Sequence, residues 1–371
     1  MINRVIKDQI IGKFNSDKAI LIIGPRQVGK TTLINSILKN KNHLFLNGDD
    51  PTVRSLLKEA NTEKLKSIIG DHTILFIDEA QRIENIGLTL KLITDQFKNV
   101  QLIVSGSSAF ELKNLMNEPL TGRKWQYHLY PISWRELVGH YNYVKANQQL
   151  EQRLLYGMYP DVLNNPGEEI QILKELSDSY LYKDILAFSK IKKSEILEKL
   201  LQALAYQVGQ EVVYNELSKL LGIDKNTVSS YIDILENNYV IFRLPSFSKN
   251  LRSEIKRNQK IYFYDNGIRN AIINDFRPLE NRQDKGALWE NFLINERIKL
   301  NAYQKKLSKS YFWRTTQKQE IDYVEVSASK IDAFEFKWKS TNKVKIPKTF
   351  ENEYNTKVNI IDIENFNSFL S

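Results

Sequence analysis

The 371-residue chain sets 53 lysines and arginines against 44 aspartates and glutamates, a net charge of +9, with 42% apolar and 26% charged residues. These are the proportions of a globular protein long enough for two or three cores, and no apolar run approaches the roughly 20 residues of a bilayer span. The absence of cysteine excludes disulfides and thiolate metal sites, and the four histidines (His43, His72, His128, His140) have no ligand-like spacing.

In chain order, residues 2–14 read as a leading helix, charged throughout and without a signal-peptide core, so a cytoplasmic protein with no membrane partner is expected. Ala19–Ile23 is a short continuous apolar run, the pattern of a strand buried on both faces of a parallel sheet. It leads into Gly24-Pro25-Arg26-Gln27-Val28-Gly29-Lys30-Thr31, after which residues 32–38 are helical in pattern, beginning with Thr32. Strand, glycine-bounded loop, Lys-Thr and helix form the G-x-x-x-x-G-K-[ST] phosphate loop. Its glycines let backbone N–H groups approach phosphates, and the new helix adds its positive dipole end. Lys30 is placed to neutralise the β- and γ-phosphates and the Thr31 hydroxyl to hold Mg²⁺.

Residues 44–46 read as a second strand, 53–69 as a helix, and 73–77 as a third strand ending in Asp78-Glu79. A strand-tip carboxylate lies at the ligand-binding edge of an open α/β sheet. Asp78 suits the Mg²⁺ shell and Glu79 the polarisation of an attacking water. A fourth strand, 101–104, ends in Ser105-Gly106-Ser107-Ser108, where Ser105 is either a contact to the γ-phosphate or part of a plain Ser/Gly turn. Leu120-Thr121-Gly122-Arg123 precedes a fifth strand at 125–130. Arg123 is a candidate cation for the transition-state charge, in cis or toward a neighbouring subunit, or else a surface arginine; Arg26 is the other candidate.

The ordered set of Gly24–Leu33, Ile77-Asp78-Glu79-Ala80-Gln81, Ser105-Gly106-Ser107-Ser108, Leu120-Thr121-Gly122-Arg123 and Tyr130-Pro131-Ile132-Ser133 resembles the AAA-type P-loop ATPases of bacteria and archaea that carry a C-terminal domain of largely unknown function. Tyr156-Gly157-Met158-Tyr159-Pro160-Asp161-Val162 is similar to a Gly-Gly-Tyr-Pro segment of that family, with Met158 in place of the second glycine. The resemblance runs over nearly the whole chain. It implies ATP as the nucleotide, which the loop alone does not specify because it reads phosphates and not a base.

Residues 141–155 and 168–188 read as helices of a connector, with Lys183 and Asp184 in packing roles. Leucines 197, 200, 201 and 204 share one face of a helix over Ser194–Tyr206. Helices at 213–221 and Lys225–Asn237, joined at Gly222-Ile223-Asp224 and followed by a strand at 239–244, give a winged helix-turn-helix pattern. If it meets DNA, Lys225, Asn226, Thr227, Ser229, Ser230 and Tyr231 face the major groove. Asp233 and Glu236 count against that, and the basic residues Lys249, Arg252, Lys256, Arg257 and Lys260 cluster after the helix, so docking of protein is the other reading.

The remainder reads as strand 260–264, turn Asp265-Asn266-Gly267, a long helix 286–299 with Glu290 and Glu296, and strands at 311–314, 320–326 and 330–339. A glutamate on the helix, Ile321-Asp322 on one hairpin strand and Glu335-Phe336-Lys337 on the next resemble the restriction-endonuclease-like fold. Adjacent antiparallel strands can bring Asp322 and Glu335 to one divalent cation, with Glu290 completing the carboxylates and Glu320 spare. Lys337, two residues from Glu335 and on the same strand face, can orient water or neutralise a pentavalent phosphate. A solvated strand pair without metal is the alternative. Lysines at 343–348 suit a nucleic-acid backbone or a solvated surface.

The expected fold class is α/β: a P-loop NTPase parallel-sheet domain (1–140), a helical linker or lid (141–190), a winged helix (191–250) and a C-terminal α/β nuclease-like domain (251–371). The expected function is an ATPase, using ATP and Mg²⁺, that acts on or near DNA, with oligomerisation open. The alternative is a regulatory ATPase whose C-terminal domain is catalytically silent and binds protein partners.

Overall fold

The computed structural model describes residues 2–107, 120–178, 194–248, 259–328, 330–340 and 346–371. Ser108, Lys183, Asp184, Lys249, Arg252, Lys256, Arg257 and residues 343–345 lie outside them. The chain divides into two compact units, Met1–Pro131 with Asn237–Tyr239, and Ile132–Glu236 with Val240–Ser371.

The first unit is an α/β layer structure. Helix α1 (Ile6–Ile11) is followed by β1 (Ala19–Ile23), α2 (Lys30–Leu38), β2 (His43–Asn47), α3 (Pro51–Leu57), α4 (Thr62–Ile69), β3 (Ile74–Asp78), α5 (Ile86–Gln96), β4 (Gln101–Gly106) and β5 (Lys124–His128). The five strands form one sheet in the order β2-β3-β4-β1-β5, and every pairing is parallel. Each of β1, β3 and β4 is buried along its whole length, which is why each carries a continuous apolar stretch (19–23, 74–77 and 102–104) and not an alternating one. The register pairs Ile23 with Gly106 and Ile77 with Val104, so the carboxyl ends of these three strands form one edge. The single helix expected over 53–69 is two. Lys58 leaves the helical region, Glu59 takes a positive φ of 53°, and Asn61 caps the second helix by accepting from the Lys64 N–H.

In the second unit α6 (Trp134–Tyr141) comes first, and the segment expected as one helix over 141–155 is two short ones, α7 (Tyr143–Gln148) and α8 (Leu150–Tyr156). Asn142 breaks α6 from α7 with a φ of 72°. Helices α9 (Pro160–Asn164), α10 (Glu169–Leu176) and α11 (Ser194–Tyr206) follow, then β6 (Glu211–Val212), α12 (Tyr214–Leu221), α13 (Lys225–Asn237), β7 (Ile241–Pro245) and β8 (Gln259–Phe263). Gly222 ends α12 in the left-handed region, where a residue without Cβ is favoured. Strand β8 lies between β6 and β7 in an antiparallel sheet.

Asp265-Asn266-Gly267 is not a turn: Asp265 caps helix α14 (Asn266–Ile272) by accepting from the Ile268 N–H. Helix α15 (Lys285–Tyr303) is buried around most of its circumference. Strands β9 (Lys309–Arg314), β10 (Glu320–Ser327) and β11 (Lys330–Phe336), helix α16 (Lys348–Tyr354), β12 (Val358–Ile361) and α17 (Phe366–Phe369) complete the chain. The sheet order is β12-β11-β10-β9, with β12 parallel to β11 and the others antiparallel. One face packs Tyr311, Trp313, Ile321, Val324 and Ala333 against Phe350 and Phe247. A register shift between Ile321 and Val324 puts a bulge at Asp322, a device that re-aims side chains.

Candidate functional site

At the carboxyl edge of the first sheet, residues 24–29 pass from β1 into α2. Gly24 has no room for a side chain, because a Cβ there would lie 1.9 Å from the Leu129 carbonyl oxygen. Gln27 and Gly29 both have positive φ, and Gly29 starts α2 with no side chain capping its first N–H groups. A bare helix N-terminus of nine residues behind a tight loop is a good anion site. Lys30 is buried, and its ammonium donates to the Gly24 and Pro25 carbonyls at 2.9 and 2.7 Å. Burial pushes its pKa down to about 8, against the opposing pull of Glu79 and Asp78. Arg26 is half-buried and close enough to act on Lys30 electrostatically, while Val28 is buried.

Asp78 ends β3 and receives two hydroxyls, from Thr31 at 2.6 Å and from Ser105 at the tip of β4. Strand β4 lies between β1 and β3, so Ser105 is carried to Asp78 by the strand order itself. Thr32, the next residue of α2, is exposed. Glu79 takes a positive φ of 47°, a strained conformation for a residue with a Cβ. Its carboxylate accepts from Gln81 and from Ser107 at 3.3 Å, and Gln81 also donates to Ser107 at 2.9 Å. Gly48 completes the support. Its N–H donates to the Asp78 carbonyl at 2.9 Å, and a Cβ there would meet the Glu79 carbonyl oxygen at 2.5 Å.

The donor set fits a polyphosphate with a hard divalent cation. Open N–H groups and an ammonium suit the phosphates, and Thr31 and Asp78 offer adjacent oxygens to Mg²⁺. Arg123 is not brought to this edge. Its carbonyl accepts from Ala19 at the amino end of β1, and its guanidinium is paired with Asp95 at 2.7 Å. The length of β1, about 15 Å, separates it from the loop, so a role in cis is removed. Sequence reasoning passed over Gln81, Ser107 and Gly48. The first two stood inside motifs already noted, and Gly48 in a turn-rich stretch, but nothing in sequence paired them with Glu79.

The second unit gathers another set of charges. Asp322 and Glu335 fall opposite one another in the β10–β11 register, which pairs Tyr323 with Phe334. The Phe336 N–H donates to Asp322 at 2.8 Å. Lys337 donates to Glu335 at 2.7 Å, while the other Glu335 oxygen is buried without a hydrogen-bond partner. Burial, with Glu290 and Glu335 alongside, raises the Asp322 carboxyl well above the usual carboxylate range.

Glu290 is set by its neighbour Asn291, whose amide accepts from the Phe263 N–H and donates to the Phe263 carbonyl at 2.7 and 3.0 Å. Strand β6 pairs with β8 only at Gln259 and Lys260, so Asn291 satisfies backbone groups β6 leaves open. Glu290 then receives Tyr262 at 2.5 Å and Lys260 at 3.1 Å. Glu320 is not spare, since it pairs with Lys260 at 2.5 Å and with Arg314 at 3.4 Å. Among the described residues no group of three or more His, Asp or Glu side chains is arranged to hold a metal ion, so Glu290 does not complete a set with Asp322 and Glu335.

On α13, Lys225, Asn226 and Ser230 are exposed and Thr227, Ser229 and Tyr231 half-buried. Asp233 and Glu236 are both paired with Arg243 of β7. Lys260, expected with the basic cluster, is buried in β8 and contributes nothing to a surface. No helix among the described residues is long and apolar enough to cross a membrane.

Comparison with known proteins adds to this geometry. Residues 16–138 match the family described as AAA domain, 147–279 a domain of unknown function (DUF8612), and 285–365 a second one (DUF4143). An uncharacterized protein of Mycobacterium tuberculosis is 27% identical over 330 residues, covering 88% of this chain and 71% of that protein. One of Haemophilus influenzae is 27% identical over 311 residues, covering 77% and 75%. The solved structure of a Walker-type ATPase of Pyrococcus abyssi aligns with a TM-score of 0.52 at 15% identity, over 74% of this chain and 96% of that one.

Proposed function

The chain carries an AAA-type domain on a P-loop fold, and we propose that it binds and hydrolyses ATP. The observation that carries this is the meeting of Thr31 and Ser105 on the Asp78 carboxylate, beside Lys30 and the open start of α2. In this reading Gly24, Pro25, Arg26, Gln27, Val28, Gly29, Lys30, Thr31 and Thr32 cradle the phosphates, and Thr31 and Asp78 hold Mg²⁺. The cation supplies charge neutralisation on the β- and γ-oxygens. Glu79, fixed by Gln81 and Ser107, orients the attacking water and takes up its proton. Ser105 joins the γ-phosphate contacts to Asp78. Any arginine contribution in cis falls to Arg26, and Arg123 is left for a neighbouring subunit.

We further propose that the second unit holds a winged helix and a nuclease-like domain that act on or near DNA, with ATP turnover as the switch. The exposed Lys225, Asn226 and Ser230 support nucleic-acid contact, as does the pairing of Asp233 and Glu236 with Arg243, which offsets their repulsion of phosphate. The juxtaposed Asp322, Glu335 and Lys337 support a phosphodiester-directed centre. A silent, partner-binding domain is the second reading, favoured by the engagement of Glu290 with Lys260 in place of the metal set.

The deciding experiment is ATP turnover with and without single- and double-stranded DNA. Turnover that DNA stimulates and Lys30→Ala abolishes is expected; wild-type turnover by Lys30→Ala removes the proposal. Nicking by wild type but not by Asp322→Ala, with Mg²⁺ or Mn²⁺, separates the two readings of the second unit.

A further inference from the structure

Lys260 is the one lysine of β8, and it is 1% exposed. Its ammonium lies 3.1 Å from Glu290, 2.5 Å from Glu320 and 5.4 Å from the centre of the Phe312 ring. It therefore joins three elements that are distant in sequence: β8, helix α15 and the β9–β10 hairpin. A buried ammonium persists only when carboxylates surround it. Here they hold its pKa above the ordinary lysine value although desolvation opposes them.

The charges around it are unbalanced. Glu290, Glu320, Asp322 and Glu335 face Lys260 and Lys337, and the adjacent Arg314–Glu211 pair is neutral in itself. With every group ionised two negative charges would be left over, and burial with Glu290 and Glu335 alongside disfavours the Asp322 charge, so the excess is relieved either by a proton on Asp322 or by a divalent cation. The excess is not spread evenly. Glu290 and Glu320 already share Lys260, and Glu290 also has Tyr262. The oxygen lacking any partner belongs to Glu335, opposite Asp322.

We propose that Lys260 is a resident counter-ion standing where a second cation would otherwise sit. It withdraws Glu290 and Glu320 from metal binding and leaves a one-cation centre on Asp322 and Glu335. The proposal rests on the nuclease-like reading of the second unit, and it makes Lys260 a positioning residue that acts through Glu290 and Glu320.

The test uses the nucleotide-free full chain carrying Asp78→Asn, which removes the carboxylate at the phosphate loop, and Mn²⁺ followed by electron paramagnetic resonance. One bound Mn²⁺ per chain is expected, falling to none when Asp322→Asn is added; two would overturn the proposal. Thermal unfolding supplies a second readout. In the Asp322→Asn background, Mn²⁺ leaves the melting temperature unchanged. Adding Lys260→Met exposes Glu290 and Glu320 to each other, and saturating Mn²⁺ then raises it by roughly 5 °C, taking over the role of the lost ammonium. An absent rise overturns the proposal, because a merely structural Lys260 gives no cation rescue. If Lys260→Met does not fold, the count of one or two in the Asp78→Asn chain decides. Mn²⁺ binding that is absent, or indifferent to Asp322→Asn, sinks the nuclease-like reading instead, and the rescue by Mn²⁺ still judges Lys260.

Discussion

The Thr31 hydroxyl donates to the Asp78 carboxylate at 2.6 Å across 47 positions of sequence. Parallel strands make this possible. Helix α2 begins where β1 ends, and Asp78 closes β3 at the same edge, with β4 and its Ser105 between them. Thr31 donates to Oδ2 and Ser105 to Oδ1, so in the proposed ATPase Asp78→Asn keeps one hydroxyl on its remaining oxygen, meets the other with a donating amide, and loses the charge that balances Mg²⁺. It is expected to fold with near-wild-type thermal stability and to lose turnover by about two or three orders of magnitude, the scale of removing one electrostatic partner in a desolvated site. Steady-state phosphate release and a melting curve check the two halves.

Gly24 marks how closely the loop is packed on the strand beside it. A Cβ at that position would sit 1.9 Å from the Leu129 carbonyl oxygen, which is backbone and cannot swing away. Gly24→Ala is expected to shift the loop and weaken nucleotide binding at least tenfold, an effect of about 1.4 kcal/mol. Titration with a fluorescent ATP analogue measures it. Gly29→Ala acts differently. Nothing lies near its missing Cβ, but its φ of 89° is unfavourable to alanine, so its penalty is conformational and is read in stability.

What sequence made legible was local. The phosphate loop, the apolar strands and the carboxylate after β3 are contiguous signals, and the α/β class follows from their alternation. What it could not reach was which edge of a sheet a loop ends on. Arg123 sits in a Thr-Gly-Arg turn that looks suited to a phosphate, yet it enters β5 at the amino end of the sheet and pairs with Asp95. Lys260 shows the same limit in the other direction. Near Arg257 and Lys256 in sequence it reads as part of a basic surface, but β8 is a central strand buried from Lys260 to Phe263, and Lys260 meets carboxylates 30 and 60 positions away. Helix breaks at Glu59 and Asn142 were likewise silent, since positive φ at non-glycine residues leaves little trace in composition.

Asp322 illustrates a site held against its own stability. Burial and two neighbouring carboxylates disfavour its charge. Asp322→Asn keeps an oxygen for the Phe336 N–H and removes the repulsion. It is expected to raise the melting temperature at neutral pH by about 2–4 °C, the equivalent of roughly 1 kcal/mol in a domain of this size. Calorimetry of wild type and variant without added metal checks the sign, and a lower melting temperature would contradict it.

Gly157 and Asp265 form the tightest junction of the second unit. The Asp265 carboxylate accepts from the N–H groups of Met158 at 2.7 Å and Ile268 at 3.2 Å, and a Cβ on Gly157 would fall 1.9 Å from its Oδ1. Gly157 also has a φ of 72°. Gly157→Ala meets a steric and a conformational penalty together and is expected to cost about 2–4 kcal/mol, in the range of backbone strain plus overpacking. Urea unfolding measures it.

The same carboxylate gives the second unit a pH signature. Burial raises the Asp265 pKa from 3.8 to about 6, while the N–H donors of Met158 and Ile268 and the more distant Lys299 oppose the rise. Between those two values the folded state holds a proton that the unfolded state has released. The contribution of Asp265 is therefore fully present below about pH 4 and is lost as pH rises through about 6. A rise of that size corresponds to roughly 3 kcal/mol. Asp265→Asn cannot titrate, so the stability difference between wild type and variant should move in favour of wild type by up to that amount as pH falls from about 7.5 to about 4. Paired urea curves at several pH values read the slope directly, and a difference that stays flat across the range would mean that Asp265 remains ionised within the core.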